Sequence, residues 1–179
     1  MKSTVNNSPG KFAPQQRLRF ILYFSSTLGL LAFSFVQWTP TMNLGFMYPI
    51  SFVTTLLLKC LTISAKLDAS TLSQGFCLVQ LDGITLRIIH ECTGIFTLFI
   101  FVAAVLAYPT SPTYKLQGLT LGIPIFFAYS VLRLCVLGLI AHLVPHLIQL
   151  FHVYLMVLFN LGFVTALLQY WMANATARE

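Results

Sequence analysis

Four long apolar stretches divide the chain, and between the first and second lie two shorter segments with other periodicities. Residues 19–36, 92–108, 117–141 and 149–171 are each near the length a helix needs to cross a bilayer. Gln37-Trp38 and Tyr170-Trp171 supply interfacial ends, and Pro109 and Pro112 stop the second stretch. In residues 49–66 the polar positions Ser51, Thr55, Lys59, Thr62 and Lys66 recur at steps of four, four, three and four. That is one stripe down a helix, better suited to lying in the membrane interface than to crossing it, with a tilted crossing as the alternative. The next segment, "FCLVQLDGITLRII", predicts a hairpin over residues 76–90 with a type I′ turn at Asp82-Gly83. Such a turn sets Leu81 against Ile84 and Val79 against Leu86 on one face, and Gln80 against Thr85 on the other.

The expected fold is therefore an all-α integral membrane protein. It has about four transmembrane helices, an interfacial amphipathic helix and a short extracytoplasmic β-hairpin. Residues 17–172 form one domain between an amino-terminal tail (1–16) and a carboxy-terminal tail (173–179). Composition makes the membrane assignment firm: of 179 residues 58% are hydrophobic and 8% charged, too few to cover a water-facing surface. The net charge of +6 comes from scattered residues and builds no nucleic-acid face. Lys2, Lys11, Arg17 and Arg19 precede the first stretch as a cytoplasmic anchor, and no small-residue cleavage site follows it. Counting basic residues by side does not choose between four spans and five. The stripe favours four, with both ends cytoplasmic and the hairpin outside.

The chemistry gathers at "HECTGIF", His90 to Phe96, where polar sequence gives way to apolar. Arg133 is the one full charge well inside a predicted span, and an intramembrane arginine is a functional candidate by default. Its alternative role is structural, bonded to backbone carbonyls. Cys92 opens the second span, Arg133 lies late in the third and His152 lies early in the fourth, so alternating helices bring all three to one membrane face. A thiol, an imidazole and a guanidinium suit acyl transfer: nucleophile, proton carrier and oxyanion partner. Glu91, Gly94 and Ser130 are the supporting candidates, Glu91 as a nearby carboxylate and Gly94 as a point of close backbone approach. A disulfide from Cys77 to Cys92 is the competing use of that thiol. His142, His146 and His152 carry no metal motif, since Pro145 interrupts the first pair and "HECTG" lacks the second histidine of HExxH. No metal or other cofactor is called for.

"HECTGIF" opening a span, then "GIPIFFAYSVLRL", then "FHVYLMV", resembles the exosortase/archaeosortase family from about residue 49 to Tyr170. The resemblance implies a membrane cysteine transpeptidase or protease with Cys92 as nucleophile, Arg133 as the family arginine and His152 as the family histidine. Ser130 stands where that family usually carries asparagine. The implied partners are exported proteins whose carboxy-terminal sorting tail joins a short motif, one transmembrane helix and a basic cluster. Membrane lipids surround the enzyme, a lipid or glycan is the candidate acyl acceptor, and no nucleic acid is involved. The implied location is the plasma (inner) membrane with the site facing outside. Two other classes compete: a non-catalytic membrane subunit or scaffold, and a small-molecule or ion conduit.

Overall fold

A computed structural model describes residues 14–176 of the chain. Most of the two expected tails lies outside these residues. Helix α1, Pro14–Gln37, starts earlier than the apolar pattern indicated. Helix α2, Thr39–Cys60, contains a π-turn at Asn43–Met47. A three-stranded antiparallel sheet follows, with β1 at Lys66–Asp68, β2 at Cys77–Leu81 and β3 at Ile84–Ile88. Then come a single turn α3, His90–Thr93, and the short helix α4, Ile95–Ala107. The longest helix is α5, Pro112–Leu143. The last is α6, Pro145–Asn174, with helical backbone reaching Thr176 and a π-turn at Phe151–Leu155.

Among the described residues, α1, α2, α5 and α6 are each long and apolar enough to cross a membrane. The chain is a helical membrane protein carrying one small sheet. The four long helices are not the four stretches expected. The stretch 92–108 contributes only the 13 residues of α4, whereas the striped segment belongs to a helix of 22 residues.

Three differences from the sequence reading have local causes. Pro112 does not end a helix but begins one: it occupies the first turn of α5, where a missing N–H is harmless, behind the extended Ser111. The striped helix stops at Cys60 rather than Lys66. Thr62 N–H donates to the Lys59 carbonyl and Ile63 N–H to the Leu58 carbonyl, while Thr62 takes the left-handed φ of 65°. This is the bonding of a Schellman stop with threonine in the place glycine usually fills, and the buried Leu58 and Ile63 make its customary apolar contact. Lys66, freed from the helix, starts β1, whose register pairs it with Gln80. The hairpin pairs Leu81 with Ile84, Gln80 with Thr85 and Val79 with Leu86, as the turn requires.

Packing shows how the elements stand. The Phe35 ring, near the end of α1, meets the His90 ring at 4.9 Å. Asn43 donates to the Leu72 carbonyl at 3.0 Å, and Leu58 lies against Gly138. Ile63, Ala65, Cys77 and Cys92 share one core cluster. Both ends of α2 are thus tied to the end of the bundle that holds His90 and Cys92. At the opposite end Gly118 and Gly122 of α5 leave room for the Trp171 and Phe101 rings, which a Cβ at either position would strike. Trp171 Nε1 donates to the Tyr114 carbonyl at 3.1 Å, closing that seam.

Candidate active site

Cys92 sits on the turn α3, one residue pair ahead of α4, and is almost wholly buried. The expected span 92–108 is broken at Gly94, whose φ of +74° ends α3 and begins α4. Only glycine adopts that angle freely, so Gly94 sets the angle at which the thiol is presented. The Cys92 N–H donates to the Ile89 carbonyl at 3.0 Å.

Facing it is His152, sixty positions later. Cys92 Sγ and His152 Nε2 are 3.6 Å apart. This is hydrogen-bond distance for sulfur, and it decides which histidine the thiol meets. His90 follows a different path: its ring stands edge-on to Phe35, and burial lowers its pKa. His142 and His146 are exposed at the turn between α5 and α6. His152 lies inside the π-turn of α6, and such a turn holds one residue more than a regular one, changing the direction in which its side chains leave the helix. Its second nitrogen, Nδ1, is buried without a partner.

Arg133 reaches the same place from α5. Its Nη2 donates to the Glu91 carbonyl at 3.4 Å and its Nε to Met156 Sδ at 3.0 Å, while Nη1 is buried with no partner. The guanidinium therefore lies along the backbone that carries Cys92. Met156, four residues after His152, orients it; an apolar-looking residue gave no sign of this role. Ser130, one turn before Arg133, shares its single hydroxyl proton between the carbonyls of Thr93 (2.7 Å) and Phe126 (2.8 Å), anchoring α5 to the residue after Cys92. Gly94 faces this pair: a Cβ there would stand 3.6 Å from Arg133 Nη1 and 3.7 Å from Ser130 Oγ. Glu91 contributes its carbonyl, with its side chain exposed.

The thiol's surroundings oppose ionisation. Burial pushes the Cys92 pKa up; a hydrogen bond to the sulfur from the Ile89 backbone and the Arg133 cation pull the other way, and Glu91 pushes upward. A resting thiol with a histidine in contact is the outcome. All four cysteines are free, and Cys77 lies in β2 rather than joined to Cys92.

Cys92 and His152 open onto a cavity of about 410 Å³ bounded by α2, β3, α5 and the start of α6. Its walls are mostly apolar, among them Leu58, Leu134, Leu137 and Ile148, with Gln149 and Thr54 as polar points. Nothing in the sequence indicated this space, because it depends on where α2 crosses beneath the sheet. No family model, curated protein or solved structure matches the chain.

Proposed function

We infer that the protein is a membrane-embedded cysteine peptidase or transpeptidase acting at one rim of the bilayer. The observation that carries this reading is the 3.6 Å contact between Cys92 Sγ and His152 Nε2, made across sixty residues and opening onto a cavity. In the proposed cycle His152 Nε2 takes the thiol proton as Sγ attacks the substrate's carbonyl carbon. The oxyanion that forms is stabilised by the Arg133 guanidinium, which has one nitrogen uncommitted. Collapse breaks the C–N bond, His152 returns the proton to the leaving amine, and a thioester remains on Cys92. Water, or the amine or hydroxyl of an acceptor, then displaces the sulfur.

The rim position follows from lengths. Arg133 is 21 residues after Pro112, so about 32 Å along α5 by helix rise, close to the roughly 30 Å of a hydrocarbon core. In the proposed topology α1, α5 and α6 cross the membrane outright; α4, whose 13 residues rise only about 20 Å, returns the chain to the far side together with residues 108–111 that follow it, and α2, with both ends at the site end, lies across that rim under the sheet. Arg17, Arg19 and Lys115 gather at the far end, and the sequence adds Lys2 and Lys11 ahead of α1 and Arg178 after α6, against Lys59, Lys66 and Arg87 at the site end. The positive-inside rule then puts the far end in the cytoplasm and the site outside. This agrees with the resemblance to exosortases and archaeosortases, whose substrates present a motif just outside a single transmembrane helix. The substrate class proposed is exported proteins with such a carboxy-terminal tail.

The test is processing in cells. An exported protein carrying such a tail, with an epitope at its carboxy terminus, should lose the epitope when co-expressed with this chain. Cys92→Ala should abolish that loss at unchanged membrane abundance. Full processing by the alanine variant, or none by the natural chain across the host's own tailed proteins, would overturn the reading.

A further inference from the structure

The sheet order is β1-β2-β3, so β3 has one edge without a neighbouring strand. The two-residue turn makes Leu81 and Ile84 a hydrogen-bonded pair, and bonding then alternates along the hairpin. Ile84, Leu86 and Ile88 bond to β2, while Thr85 and Arg87 turn N–H and C=O toward the free edge. No other backbone bond among the described residues engages those four groups.

The cavity beside Cys92 runs along this edge. Val79 of β2, opposite Leu86, lines it from the inner face of the sheet, and Thr85, Leu86, Arg87 and Ile88 line it in succession. Side chains on a strand alternate between faces, so four consecutive residues share one wall only where that wall is the strand's edge. β3 ends at Ile88, four residues before the thiol, and Cys92 and His152 stand in the same wall.

We propose that the free edge of β3 is the docking strand for the substrate. An extended polypeptide adds beside Thr85 and Arg87 as a fourth strand, with its scissile carbonyl delivered to Cys92 Sγ. Two donors and two acceptors, spaced by a two-residue strand repeat of about 6.8 Å, match a peptide backbone. A lipid tail offers nothing to bond them. The ligand class is therefore an extended segment recognised through its main chain, with apolar side chains at alternate positions entering the wall of Leu58, Leu134, Leu137 and Ile148. The open edge also explains why a sheet so small is kept: exposed edges invite pairing, and this one leads to the reactive sulfur. The proposal rests on Cys92 being the nucleophile.

The experiment uses the full natural chain in detergent and a defined probe, acetyl-Val-Ala-Val-Ala chloromethyl ketone. Sulfur displaces chloride at the methylene carbon, forming a C–S bond and releasing chloride, while the thiol proton passes to His152. Two twins carry N-methyl groups on the valine nitrogens or on the alanine nitrogens; iodoacetamide serves as a reagent without a peptide backbone. The parent should label Cys92 saturably. One twin should be slower by about ten-fold, the effect of two lost backbone hydrogen bonds, and the other close to the parent. Hydrogen exchange at the Thr85 and Arg87 amides should slow once the parent is attached. Equal saturable rates for parent and twins, with those amides unprotected, overturn the docking strand and leave the nucleophile in place. Labelling of the unfolded chain alone, by any of the reagents, overturns the nucleophile itself. Protection of both amides before any probe is added, rising with protein concentration, assigns the edge to a second copy and also overturns the proposal.

Discussion

Replacing Gly94 with alanine separates backbone strain from packing at the candidate site. The added Cβ has room, since its nearest neighbours would be 3.6 Å and 3.7 Å away, ordinary contact distances. What it lacks is a favourable backbone. At φ +74° an L-residue costs about 1–2 kcal/mol relative to glycine. The chain can carry that cost, lowering the midpoint of thermal unfolding by about 2–8 °C at 2–4 °C per kcal/mol. Alternatively it relaxes residue 94 to right-handed helix, fusing α3 with α4 and rotating Cys92 away from His152. Only the second path moves the thiol, and it is the expected one because it sheds the backbone strain. Two controls isolate the effect. Gly162→Ala meets nothing within 4 Å, has no positive φ and lies inside a helix, so it should leave the midpoint unchanged or slightly raised. Gly122→Ala drives a methyl group into the Phe101 ring, an overpacking of about 1–3 kcal/mol, yet far from the thiol. The assay is the unfolding midpoint in detergent, paired with the rate at which the chloromethyl ketone labels Cys92. Gly122→Ala should lower the midpoint and spare labelling, whereas Gly94→Ala should lower both. If Gly94→Ala matches Gly162→Ala in both measurements, Gly94 is not what presents the thiol.

Two further predictions concern the proton. His152→Gln should slow chloromethyl-ketone labelling and substrate processing by about 10²–10⁴-fold at unchanged expression, the usual worth of a positioned base. His90→Gln should leave both rates as they are, because its ring packs on Phe35; the opposite ranking would exchange the two histidines' roles. For ionisation, burial holds the Cys92 thiol above its ordinary range, so iodoacetamide labelling should rise at a higher pH than the roughly 8.5 of a free cysteine. The Arg133 cation favours the thiolate, so Arg133→Leu should move that rise further up and slow labelling at pH 7. A shift downward would show that Arg133 does not act on the sulfur.

What could be read from the sequence divides along local and non-local physics. The hairpin register was legible because a two-residue Asp82-Gly83 turn admits one alternation of facing residues, and the pairs found are those. The common depth of Cys92, Arg133 and His152 was legible too, from the order of residues along helices that alternate in direction. The end of α2 was hidden because threonine, not glycine, occupies its left-handed stop, and the polar stripe continued through Thr62 to Lys66 as though the helix did. β1 was hidden with it: three residues carry no usable period, and only pairing with β2 makes them a strand.

The choice between His90 and His152 shows the limit most clearly. Helix order pointed to His152, yet His90 is only two residues from the thiol and the sequence alone does not say which ring meets it; α3 is a single turn and sends the His90 ring toward Phe35. His152, which meets the sulfur, leaves α6 from the π-turn at Phe151–Leu155, and Met156, one turn on, holds Arg133 beside it. An extra residue in a turn leaves no trace in hydrophobic periodicity, yet it changes the azimuth of every side chain after it. The cavity has the same origin, closed by α2 from below and by the β3 edge at one side, two elements whose meeting no local rule specifies. Sequence pattern therefore placed the candidate groups at one end of the helices, while their azimuth came from features that pattern does not encode. The further step, a substrate strand on β3, belongs with the legible part. Once the turn type is known, alternation alone says that Thr85 and Arg87 face outward, so a substrate bound there must lose affinity at every second amide nitrogen and at no other.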